Sequence, residues 1–106
     1  MYEVHVFTAT ASASAECDGP YRPGDRHPLL AFLRQASGTD HDWTEAERWV
    51  NEAGWRQVKF ERAGTLNPES VSGKDDYLVI AFEKAMHQEF GFVVYDKVLP
   101  QDEAEE

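Results

Sequence analysis

Cysteine is scarce in this chain: Cys17 stands alone, so no internal disulfide can form. A single sulfur also argues against zinc, because tetrahedral sites draw on paired ligands two to four residues apart. No metal and no cofactor are expected. Glycine-rich signatures are missing too. The chain holds no G-x-x-x-x-G-K-S/T, no G-x-G-x-x-G and no G-x-S-x-G, which leaves phosphate-cradling loops and nucleophile elbows without a foothold. No apolar run approaches the length of a membrane span, and the first residues lack a basic stretch followed by an apolar one. A cytoplasmic address is the expectation.

Positive charge is in short supply as well. Ten Lys and Arg face twenty Asp and Glu, a net charge of −10 whose field repels phosphate backbones and anionic membranes. Direct nucleic-acid binding and membrane association are therefore not expected. Asp102, Glu103, Glu105 and Glu106 carry part of the excess and predict a disordered acidic tail over 101–106. What remains, residues 1–100, has the apolar and aromatic content of one folded domain with a single core.

The clearest local signal runs from Asp42 to Arg62. Asp42 or Thr44 can cap a helix, and Thr44 with Glu47 has capping-box spacing. Ala46, Trp49, Val50 and Ala53 then recur at i, i+3, i+4, i+7 as one apolar stripe. Gly54 follows where a left-handed residue ends a helix, with Trp55 folding back on Val50. From Trp55 the period drops to two, with Val58 and Phe60 opposite Gln57, Lys59 and Glu61, the pattern of a half-buried strand.

Elsewhere the patterns are coarser. Residues 1–14 alternate as a long strand, apolar or small on both sides from Phe7 onward, which places it inside the sheet; the Ala/Ser run 10–15 also suits a flexible extension. Residues 16–28 read as a loop. Pro28, then Leu29, Phe32, Leu33 and Ala36, with Gly38 as a stop, predict a short helix over 28–37. Ala63-Gly64 reads as a turn and Asn67-Pro68-Glu69 as one helical turn. Residues 76–90 predict a helix stopped by Gly91, with a strand at 77–82 as the competing reading. Residues 92–98 predict a last strand. The expected fold is thus an α+β two-layer sandwich in the order β-α-α-β-α-β, with helices on one face of a three-stranded sheet, four-stranded if 77–82 is extended.

Catalytic patterns are weak. Cys17 lies between Glu16 and Asp18, which disfavours a thiolate. Asp40-His41-Asp42 puts an imidazole between carboxylates ahead of a helix, where loop and N-cap roles suffice. His5 and His87 read as a strand side chain and a helix-end residue. The three tryptophans lie six residues apart and cannot share one job; Trp43 falls on the polar side of its helix. Trp43 with Asp40, Asp42 and Tyr21 is accordingly the expected protein-binding surface. The length and charge are similar to those of small phage or bacterial inhibitor and immunity proteins, a likeness of size and composition alone. The leading expectation is an acidic protein-binding domain that regulates or inhibits a protein partner. A small enzyme or ligand-binding domain, with a pocket of Cys17, Arg22 and His27 under the 16–28 loop, is the alternative. A homodimer joined through a strand edge is a third.

Overall fold

A computed structural model of the chain describes residues 1–17, 19–66, 69, 73 and 76–99. Its architecture follows from one long strand, β1 (Tyr2–Ala13), whose two faces both bury side chains. On one face lie His5, Phe7, Ala9, Ala11 and Ala13; on the other, Val4 and the half-buried Val6. A strand apolar on both faces needs a layer on each side.

Its hairpin partner is β2 (Arg26–Ala36), antiparallel and in unbroken register from Tyr2 opposite Ala36 to Ser12 opposite Arg26. The helix expected over 28–37 is therefore a strand. The run Leu29 to Leu33 explains the correction, since Leu29, Ala31 and Leu33 enter one core while Leu30 and Phe32 enter the other. A surface helix would have buried only one stripe of these residues. Pro28 is tolerated because its carbonyl accepts from the Tyr95 amide, beyond the last paired residue on that side, where no N–H is required.

Helix α1 (Trp43–Glu52) follows, capped by the Asp42 carboxylate, which accepts from the Glu45 amide at 3.1 Å. Asp42 alone provides the side-chain cap, and no Thr44–Glu47 box forms. The stripe is as expected except that Trp49 is only half-buried, stacked on Phe90, while Ala46 and Val50 are fully buried. Gly54, with φ +99, ends the helix, and Trp55 opens β3 (Trp55–Leu66) from inside the core. Ala63 and Gly64 continue this strand instead of turning it. Helix α2 (Asp76–Gln88) confirms the helical reading of that segment, and β4 (Phe90–Val94) closes the chain's sheet. Here the left-handed residue is Glu89, φ +76; Gly91 sits inside β4, where a Cβ would lie 2.5 Å from the Ala81 carbonyl oxygen. The expected turn at Asn67-Pro68 and the tail over 101–106 lie outside the described residues.

The sheet order is β3-β1-β2-β4, all antiparallel, so the α+β class holds with four strands in the order β-β-α-β-α-β. The helices do not share a face. Ala46 and Val50 of α1 pack on Phe7, Leu29 and Leu33, whereas Ala81, Phe82 and Ala85 of α2 pack on Val4 and Phe32 across the sheet. Among the described residues no helix is long and apolar enough to cross a membrane.

Candidate functional site

The α1 face of the sheet carries a chain of polar groups at its lower end. Glu3 and His5 are two apart on β1 and so point the same way. The fully buried His5 places Nε2 at 2.6 Å from the Glu3 carboxylate. That hydrogen bond, more than any other contact, holds the Glu3 carboxyl below the usual carboxylate range. At the other side of the ring, His5 Nδ1 meets His41 Nδ1 at 2.8 Å, the two rings edge to face. One proton serves that nitrogen pair. Across it one imidazole donates and the other accepts.

The loop that delivers His41 is fixed by Gln35. Its Nε2 donates to the Asp40 carbonyl at 2.7 Å and its Oε1 accepts from the Asp42 amide at 3.0 Å. Thr39 donates its hydroxyl to the Ala36 carbonyl, and the Gly38 amide donates to Glu3. The segment 36–42 is thus a built turn, and its end sets the angle at which α1 leaves.

Trp43 begins α1 directly over this turn. Its ring meets Phe7 at 5.2 Å, Phe60 at 5.3 Å and His41 at 6.2 Å between centroids, each edge to face, yet the residue is 42% exposed. Beside it Asp40, Asp42 and Glu45 line an open groove of about 520 Å³ that also includes His41 and Arg34. Arg34 is committed elsewhere, donating to the Met86 carbonyl and lying 4.6 Å over the Tyr2 ring. Along the outer face of α1, Arg48 bridges Glu45 and Glu52; its hydrogen bond is the main reason the Glu45 carboxyl is held down.

Asp40 and Asp42 thus share the groove with His41, whereas the Trp43 ring does not line it and packs on Phe7 and Phe60, touching the groove residues only through His41. Tyr21 is not with them. It packs edge to face on Trp55 and His27 at the Ala13 end of the sheet, six residues of β1 away from Phe7, or roughly 20 Å. There burial raises the Tyr21 hydroxyl pKa, with Asp96 and Cys17 adding to it. Cys17 and His27 do meet this same ring cluster, but each is spoken for: the Cys17 thiol donates to the Gly54 carbonyl, and the buried His27 donates from Nδ1 to the Tyr95 carbonyl at 2.9 Å. Arg22 stays exposed. The expected loop thus ends where β2 begins at Arg26, Tyr21 packs beneath it on Trp55 and His27, and the groove lies at the other end of the face. No trio of His, Cys, Asp or Glu is arranged to hold a metal among the described residues. The residue that sequence reasoning undervalued is His5, and the spacing Glu3-x-His5 on one strand face was its only local signal. No protein-family model, curated protein or solved structure matches the chain, so the reading of this site rests on its own geometry.

Proposed function

We propose that the protein is a non-enzymatic binding domain that regulates or inhibits a protein partner by docking the Trp43 patch. The observation that carries this reading is Trp43 itself: half-exposed, yet pinned on three sides by Phe7, Phe60 and His41. A large aromatic ring already held in place loses little further entropy on binding, and such rings ringed by polar groups are what interface anchors are made of. Asp40, Asp42 and Glu45 beside it fit a partner with an apolar pocket and a basic rim. The enzyme reading is less well supported, because Cys17 and His27 are hydrogen-bonded to backbone carbonyls and Tyr21 fills the space under their loop.

The test uses Trp43→Ala with Asp40→Lys and Asp42→Asn; asparagine keeps the helix cap that lysine would remove. Capture of a partner from native lysate by the parent, identified by mass spectrometry, supplies the ligand. Affinity for it, measured where the variant is fully folded because removing Trp43 also uncovers Phe7 and lowers the melting temperature, should fall by about thirty-fold or more, the equivalent of about 2 kcal/mol at an anchor residue. Undiminished affinity in the triple variant rejects this surface.

A further inference from the structure

Among the described residues, the α2 face of the sheet is only half covered. Helix α2 packs over Val4, Val6, Leu30 and Phe32, and past them the same face of β1 continues through Thr8, Thr10 and Ser12. β2 places Arg26 opposite Ser12, and β3 places Lys59 opposite Thr10 and Arg62 opposite Thr8. Residues three apart should point to opposite faces of a regular strand. Here the register shifts between Thr8 and Ala9, leaving Glu61 as one extra residue, and Lys59 and Arg62 therefore share a face. With Arg56, which β3 places opposite Ser12 and which is ion-paired to Glu16, four of the ten cations in an acidic chain flank this column of hydroxyls.

Arg26 is the unusual member. It is 7% exposed, and its guanidinium donates to Ser12 Oγ at 3.1 Å, to the Thr10 carbonyl at 3.2 Å and to Thr10 Oγ1 at 2.9 Å. All three acceptors are neutral. Among the described residues no carboxylate pairs with Arg26, Lys59 or Arg62. A buried guanidinium is ordinarily balanced by an anion, because desolvating an uncompensated charge is costly. Thr10 Oγ1 accepts from Arg26 and so keeps its own O–H to donate.

We propose that Arg26, Lys59 and Arg62, with the Thr8 and Thr10 hydroxyls, form a binding site for a compact phosphate-type oxyanion on this open face. Strands roughly 4.8 Å apart and alternate residues roughly 6.8 Å apart put both long β3 side chains within reach of one tetrahedral anion beside Arg26. A compact anion suits the site better than an extended polyanion, because the net charge of −10 repels the remainder of a long chain. The site is independent of the Trp43 patch, which lies across the sheet.

The experiment titrates inorganic phosphate into isotopically labelled protein, following amide shifts at ionic strength held constant with sodium chloride, with acetate in parallel. Saturable shifts centred on Thr8, Thr10, Arg26 and Lys59 are expected with phosphate, and at least tenfold weaker binding with acetate. Lys59→Gln with Arg62→Gln, both exposed positions, should lower phosphate affinity tenfold or more while the remaining spectrum stays that of the parent. Arg26→Gln should abolish binding, but the exposed pair decides the matter if that variant does not fold. Shifts that never saturate, equal affinity for acetate, or undiminished binding by the double variant would each overturn the assignment.

Discussion

Gly54 joins three parts of the chain, and its replacement by alanine separates two costs that usually arrive together. The residue ends α1, its amide donating to the Asn51 carbonyl at 3.0 Å, with φ +99. Its own carbonyl accepts from the Ser14 amide, the Ser14 hydroxyl and the Cys17 thiol. A Cβ there would lie 2.6 Å from Cys17 N, 2.7 Å from Glu16 C and 2.8 Å from Cys17 Cα, all backbone atoms with little freedom to retreat. The left-handed conformation costs an L-residue roughly 1–2 kcal/mol, and overpacking adds about 1–3 kcal/mol. Together they remove ~2–5 kcal/mol from a stability that for such domains is ~5–15 kcal/mol. With an unfolding entropy of ~2.1 cal/mol/K per residue, a chain of this length should lose roughly 10–20 °C of Tm. Gly38→Ala is the control, because Gly38 has φ +84 but nothing within 4 Å of where an alanine methyl would sit; it should lose only ~5–9 °C. Calorimetric melting of the two variants gives the difference. Equal losses would show that the loop at Cys17 gives way freely and that the close approach contributes nothing.

Two further outcomes follow from the same packing and from the polar chain. Gly91→Ala would set a methyl 2.5 Å from the Ala81 carbonyl oxygen, and forcing α2 off β4 should cost about 1–3 kcal/mol in urea unfolding; an unchanged midpoint would mean that the helix slides without loss. Glu3 has its pKa depressed in the folded chain, so its contribution is complete above the ordinary carboxyl range and disappears as pH falls through the depressed value. Glu3→Gln should flatten that part of the acid limb when urea midpoints are compared across pH, and parallel curves for parent and variant would refute the linkage.

Much of the fold is legible because its signals are local. The Gly54 ending of α1, the stripe of α2 and the alternation of β1 each lie within a dozen residues. β2 was not legible in that way, since Leu29, Phe32, Leu33 and Ala36 satisfy helical spacing while the uninterrupted Leu29 to Leu33 equally suits a strand buried on both sides. The choice is made by β1 and β4 flanking it, which are distant in sequence. A β1 that is apolar on both faces already demands two covering layers, which is incompatible with helices on one side only; β2 as a second central strand and α2 across the sheet meet that demand together.

The site divides along the same line. Asp40, His41, Asp42 and Trp43 were visible because they are contiguous, whereas the His5–His41 contact spans 36 residues and has no local trace. Lys59 and Arg62 were hidden for a different reason. Read at period two, Lys59 shares a side with Gln57 and Glu61, and nothing in those residue types announces an irregularity; even the positive φ of 54 at Gln57 falls on a residue that seldom adopts it. The β3 irregularities exist only relative to β1, whose own period never breaks against β2. Their effect is twofold. They gather cations on the open face, and they twist a twelve-residue edge strand that also carries Arg56, Lys59, Glu61 and Arg62, the two devices by which natural sheets discourage a second chain from pairing. The feature that equips β3 to hold an anion therefore also argues against a homodimer joined through the β3 edge, and leaves β4 as the uncharged edge of the sheet.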